Sequence, residues 1–141
     1  QRQMCIRDSH NKKELLRIVN DTIAKLQERN QDVKLDKKQQ MATRIMEYIC
    51  ENYSQDISLD ELSEKFRISK TYINNLLKSF YHRSFLDILQ DYRLKEAKKM
   101  ILENQYKISE IAEKVGYHDI SYFIRVFKKK YGVTPNNYGK Y

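Results

Sequence analysis

The chain has 141 residues, of which 40% are hydrophobic and 33% charged, and its formal net charge is +8. That length holds one ordinary domain or a compact domain with an appendage. Three Gly, one Pro and no strand-like alternation exclude a turn-rich β fold and point to an all-α one. No apolar run approaches the ~18 residues that a bilayer-spanning helix needs, so no membrane partner is expected. Ile6 is followed by Arg7 and Asp8, which is no secretory signal. Two cysteines, Cys5 and Cys50, are too few for a disulfide scaffold and point to a reducing, cytoplasmic compartment. The charge is uneven: residues 59–141 carry 16 Lys/Arg against 10 Asp/Glu, and residues 1–58 carry 11 against 9. A basic balance in the C-terminal part suits a polyanion, although many solvated helical surfaces are mildly basic.

Residues 1–9 show neither periodicity nor turn chemistry, and residues 1–10 are read as a non-native or disordered leader outside the fold. The chain starts with Gln rather than Met and reads as the C-terminal part of something longer. Over 11–30, Leu15, Leu16, Val19, Ile23 and Leu26 recur at three- and four-residue spacings, which predicts an amphipathic helix. Leu15, Val19, Thr22 and Leu26 follow a 4-3-4 rhythm compatible with a short coiled-coil seam. Residues 11–30 are therefore a candidate homodimerisation segment, the alternative being a linker helix packed on its own or a neighbouring domain. Residues 31–36 are polar and predict a loop, which closes a linker segment over 11–36. A second helix follows over about 37–53, with Met41, Ile45, Met46, Ile49 and Tyr53 on its apolar face.

The remainder contains one small module twice: a short amphipathic helix, a tight turn and a second helix with a polar outer stripe. The first copy runs from Leu59 to Lys78. Ser58 is placed to cap its first helix, with Glu61 completing a capping-box pattern, and Ser69 to cap its second. Phe85 to Glu103 form a longer helix, with Phe85, Ile88, Leu89, Tyr92, Ala97, Met100 and Ile101 on its buried side. At ~1.5 Å per residue it spans roughly 28 Å, close to the ~34 Å between successive major-groove faces of B-DNA. The second copy runs from Ile108 to Lys128. It opens at Ser109 and Glu110, turns at Gly116 and stops at Tyr131-Gly132. Val133-Thr134-Pro135 and a short turn to Tyr138 close the chain. The expected architecture is 37–83 as first subdomain, 84–104 as linker helix and 105–141 as second subdomain.

Two helices joined by a turn in a basic chain present a helix to a DNA major groove, and the duplication lets one polypeptide read two grooves. In the first module Ile73, Leu76, Leu77 and Phe80 face inward, while Thr71, Asn74, Asn75 and Lys78 share the opposite face. Asn pairs with adenine N6 and N7, and Thr offers a methyl or a hydroxyl; Lys70 and Lys78 suit phosphates. In the second, Phe123, Val126, Phe127 and Tyr131 are the buried stripe. Ser121, Arg125 and Lys129 lie opposite, with Tyr122 at the edge. Arg125 can fork onto guanine or clamp a phosphate, and Lys128, Lys129 and Lys130 suit phosphates. Ile120 and Tyr122 either pack on a sugar or thymine methyl or complete the core. Asp119 carries the wrong sign for phosphate and reads as a helix cap.

From about Ile57 to Tyr138 the chain resembles the DNA-binding domain of the AraC/XylS family of bacterial transcription regulators. The most specific stretch is Ile111-Ala112, Val115-Gly116-Tyr117, Ser121-Tyr122-Phe123, Phe127-Lys128-Lys129, Gly132 and Pro135-Asn136-Asn137-Tyr138; Tyr92-Arg93 and Ala97 in the linker helix also match. The resemblance implies two helix-turn-helix subdomains on one long helix, with a recognition helix from each in the major groove. It places contacts at Thr71, Asn74, Asn75 and Lys78, and at Ile120, Ser121, Tyr122 and Arg125. The chain departs from the family pattern in three places. His82 stands where a Gly usually follows the first recognition helix, Leu77 replaces a more usual Phe, and Gly139 sits where an Arg often ends the motif. In this family an N-terminal domain senses a small molecule or receives a phosphoryl signal and often dimerises; no effector site is expected within these residues.

An enzyme is disfavoured. His10, His82 and His118 are scattered, neither Cys has a second ligand at metal-binding spacing, and no phosphate loop or nucleophile elbow occurs. No cofactor or metal is expected. The reading is sequence-specific double-stranded DNA binding by a transcription regulator at the bacterial nucleoid, an activator with RNA polymerase as a further partner. The alternatives are a helical interaction adaptor and a nonspecific DNA-binding protein.

Overall fold

In the computed structural model the backbone is described for residues 2–139 and the side chains for residues 13–29 and 31–139. The helices in chain order are α1 (Arg2–Asn52), α2 (Leu59–Phe66), α3 (Lys70–Tyr81), α4 (Phe85–Glu103), α5 (Ile108–Lys114), α6 (Ile120–Tyr131) and α7 (Pro135–Tyr138). No strand occurs among the described residues, as expected for an all-α chain. The side chains of the expected leader, residues 1–10, lie outside the described residues. The chain divides into two units, Gln1–Gln40 and Met41–Tyr141.

The loop expected over 31–36 does not exist, because α1 is helical throughout that stretch. Gln31-Asp32-Val33-Lys34-Leu35-Asp36 is polar but holds no Gly or Pro, and Gln, Lys and Leu are good helix formers. Polarity without turn-forming residues does not break a helix. In the first unit the side chains of the predicted apolar face are exposed. Leu15, Leu16, Val19, Ile23 and Leu26 are between 48% and 63% exposed, so packing within the first unit does not cover them.

The second unit has two cores. The first joins Ile45 and Ile49 of α1, Ile57, Leu62 of α2, Ile73, Leu76 and Leu77 of α3, and Phe85, Ile88 and Leu89 of α4. The second joins Leu94, Ala97 and Ile101 of α4 to Ile111, Ala112 and Val115, to Tyr117, and to Phe123 and Phe127 of α6. At about 100° per residue, the α4 residues serving the first core and those serving the second point roughly 160° apart. The two modules therefore pack on nearly opposite faces of one rod. This explains why α4 reads as apolar on several sides, and why Leu94, outside the predicted stripe, is buried.

Helix ends follow side-chain chemistry. The side chains of Ser58, Ser69 and Ser84 accept from the backbone N–H of Glu61, Tyr72 and Asp87. The carboxylate of Glu61 does not close a reciprocal box but accepts from the Tyr48 hydroxyl at 2.7 Å, a bond that raises the Tyr48 pKa. The second module opens at Lys107 without a side-chain cap, so Ser109 lies inside α5 rather than at its start. His82 ends α3 in the left-handed region (φ 62°), its N–H bonded to Lys78 O. The residue that departs from the family pattern thus takes the conformation a Gly would take. Relief of left-handed strain outweighs the added chain entropy of Gly, so His82→Gly is expected to raise stability by about 0.5–1 kcal/mol. Paired urea titrations would show this as a higher midpoint at unchanged slope.

Candidate nucleic-acid interface

α3 exposes Thr71, Tyr72, Asn75, Lys78 and Ser79, and His82 lies exposed at its end. With inward Ile73, Leu76 and Leu77 buried, spacing gives the open face directly. Thr71, Asn75 and Lys78 are on it. Asn74 is not: it is half-buried, and its Oδ1 accepts from the Phe85 N–H at 3.0 Å. Asn74 therefore stitches α3 to the start of α4, and its acceptor is not free for a two-pronged adenine contact. Helical spacing put Asn74 and Asn75 on one face, but two adjacent residues lie about 100° apart, and the tertiary contact drew one of them inward. Ser79 and His82 were missed; continuing the Thr71–Asn75 row by four and seven residues would have found them. Lys70 pairs with Asp60 of α2, with both side chains more than half exposed, a contact worth about 0–1 kcal/mol that a phosphate can replace.

Asp119 is the N-cap of α6: its carboxylate accepts from the N–H of Ser121 at 2.9 Å and of Tyr122 at 3.3 Å. Phe123 and Phe127 are buried. Ile120 and Tyr122, which the sequence left between core and surface, are 42% and 41% exposed. Ser121, Arg125, Lys128 and Lys129 are exposed with them. The Arg125 guanidinium lies 5.3 Å from the Tyr122 ring centroid, a cation–π contact that pre-orders its fork. With Gln90 and Leu94 of α4, Arg125 and Lys129 line an open groove. Lys130 lines the same groove, with its ammonium paired to Asp91 of α4 at 2.9 Å.

The two open faces belong to one unit, and α4 packs on both modules. Burial raises the Cys50 pKa, the opposite of what nucleophilic chemistry requires of a thiol. No helix among the described residues is long and apolar enough to cross a membrane.

A helix-turn-helix domain model matches residues 62–141. The transcriptional activator CfaD of Escherichia coli is 36% identical over 98 residues, covering 70% of this chain and 37% of that protein. The dual transcriptional regulator Rns of Escherichia coli is 35% identical over the same length and shares. The chain thus spans little more than a third of the length of these relatives. Among solved structures, the C-terminal domain of AraT, a response regulator from Geobacillus stearothermophilus, is 35% identical with a TM-score of 0.69, over 71% of this chain and 84% of that one. The DNA-binding domain of AdpA, solved in complex with a target DNA, shares the fold at 16% identity and a TM-score of 0.67, over 70% of this chain and 89% of that one. The matched domain, its two-module fold and its relatives agree: the chain belongs to the helix-turn-helix domain family, in the form typified by the AraC/XylS regulators.

Proposed function

We propose that this chain is the sequence-specific double-stranded DNA-binding part of a bacterial transcription activator, with α3 and α6 reading successive major grooves. The observation that carries the reading is the pair of exposed polar faces, on helices whose opposite sides are buried in two cores sharing α4. Thr71, Asn75 and Lys78 read through the first groove, and Ser121, Tyr122 and Arg125 through the second. Ile120 supplies an apolar contact to a sugar or thymine methyl. Lys70, Lys128 and Lys129 meet phosphates, and Asn74 acts chiefly by joining α3 to α4. The protein works in the cytoplasm, where its DNA is, without catalysis. The bare apolar stripe from Leu15 to Leu26 pairs with a second copy, and RNA polymerase is the partner of the activating step.

Selection of the purified chain against a random duplex pool about three helical turns long tests this. Two short motifs about one turn apart are expected to be enriched, and a mirrored pair of that unit would report the dimer. Binding without enrichment that vanishes as salt rises would leave only phosphate attraction and sink the reading. On the enriched duplex, Asn75→Ala and Arg125→Ala are each expected to cost about 1–3 kcal/mol and relax preference at one position. Lys128→Ala and Lys129→Ala should instead weaken all sequences alike and reduce the salt slope by about 0.9 each.

A further inference from the structure

Between its two apolar faces α4 carries two polar side chains, Arg93 and Asp91, roughly 160° apart around the helix. Each contacts both subdomains. On one flank, Arg93 Nε donates to Tyr53 O at 2.7 Å and Nη2 to Gln55 O at 2.8 Å; both carbonyls follow α1, in the first subdomain. The same guanidinium lies 5.6 Å from the ring centroid of Tyr117, in the turn of the second module. Gly116, next to Tyr117, approaches so closely that an added Cβ would stand 2.9 Å from both Arg93 Nε and Tyr53 O. His118 Nε2, beyond Tyr117, meets Asp56 Oδ1 at 2.7 Å on the exposed surface. On the other flank, Asp91 pairs with Arg83, which precedes α4, and with Lys130 of α6. Lys130 Nζ also reaches Asp91 O at 3.3 Å.

The flanks differ in character. Arg93 is half-buried, and burial lowers its pKa while Tyr117 and Asp56 oppose the shift. Its charge is offset by two backbone carbonyls, and backbone cannot swing aside as a side chain can. The Asp91 cluster is partly exposed, with Arg83, Asp91 and Lys130 side chains at 55%, 37% and 32%, and salt screens it more strongly.

We propose that Arg93 and Asp91 are positioning residues, a two-sided brace that fixes the rotation of α6 relative to α3 and thereby selects the spacing between the two DNA motifs the chain accepts. This rests on the two-groove reading above, but its first test needs no DNA. A helix with one module on each face leaves their mutual rotation dependent on side-chain packing around a single rod. Contacts on both flanks remove that freedom. The consequence for recognition is geometric: one inserted base pair turns the second motif by about 35° about the DNA axis, and a braced pair of helices cannot follow it.

The experiment measures backbone residual dipolar couplings of the full chain in a neutral alignment medium. Couplings from residues 41–83 and 108–139 are expected to fit one alignment tensor in the wild type and two of different magnitude or orientation in Arg93→Ala. Arg93→Lys, which lacks the planar fork, and the surface change Asp91→Asn provide the same reading if Arg93→Ala is poorly folded, and each should split the tensors to a lesser degree. On duplexes carrying the two enriched motifs, the wild type should lose at least tenfold in affinity for one inserted base pair. The variants should lose threefold or less, with affinity for either motif alone within twofold of wild type. A single shared tensor in Arg93→Ala, Arg93→Lys and Asp91→Asn, or undiminished spacing discrimination in them, overturns the brace. If the variants split the single tensor of the wild type but the wild type enriches no paired motif, the brace stands as an orienting device and the two-groove reading fails.

Discussion

Phe127→Ala is expected to cost the second module about 3–5 kcal/mol, the range for truncating a buried aromatic side chain. Phe127 is fully buried and is ringed by Phe123, Tyr131 and Tyr138 at centroid distances of 5.9, 4.7 and 5.6 Å. Three aromatic neighbours from two helices cannot collapse onto an Ala without dragging α7 with them. Domains of this size have about 5–15 kcal/mol in total, so the loss consumes much of the reserve. Thermal unfolding followed by circular dichroism should show a large drop in midpoint, or a separate early transition for the second module. A variant within about 1 kcal/mol of wild type would mean that the aromatic cluster repacks, contrary to the close-packed core described above.

Gly116→Ala combines two penalties that Gly132→Ala separates. Gly116 has φ +104°, and an added Cβ would meet Arg93 Nε and Tyr53 O at 2.9 Å; Gly132 has φ +82° and nothing within 4 Å. Both substitutions incur about 1–2 kcal/mol for forcing an L side chain into the left-handed region. Only Gly116→Ala adds about 1–3 kcal/mol of overpacking, because the obstructing carbonyl is backbone. At Gly116 the Tyr117 N–H bonds to Ala112 O at 2.8 Å and the Gly116 N–H to Glu113 O at 3.1 Å. This Schellman closure turns the chain from α5 toward α6, so its distortion reaches the recognition helix. Chemical denaturation of the two variants side by side is the measurement. Equal losses at the two glycines would show that the contact with Arg93 and Tyr53 carries no steric cost.

Much of the fold was legible because its local signals agree. Ser58, Ser69 and Asp119 announced three helix starts, and Gly132 a helix stop. The apolar spacing in α3 and α6 separated Ile73, Leu77, Phe123 and Phe127 from the open faces without any knowledge of neighbours. These are consequences of helical periodicity and capping, which act within a few residues. The reading failed where a residue's role depends on something distant in sequence. Residues 31–36 read as a loop on polarity alone, yet α1 runs through them. Asn74 was assigned to the reading face because spacing could not reveal that Phe85 N–H, eleven residues on, would take its side chain. Lys130 reads as the third member of a basic run, and no local pattern shows that it also pairs with Asp91 of α4.

The sequence by itself determined an all-helical chain, two helix-turn-helix modules, the buried stripe of each second helix and the family to which they belong. The first three follow from periods of three to four residues and from turn chemistry at single positions; the family follows from the resemblance of specific motifs from Ile111-Ala112 to Pro135-Asn136-Asn137-Tyr138. Only the tertiary structure decided that α4 serves two cores on nearly opposite faces, that Asn74 is turned inward, and that Arg93 and Asp91 each hold both modules. Arg93 bonds to carbonyls 38 and 40 residues earlier, and Asp91 to a lysine 39 residues later. No local pattern encodes such pairings, because they arise only when two separately formed cores dock on a shared helix and the polar side chains between them must find partners.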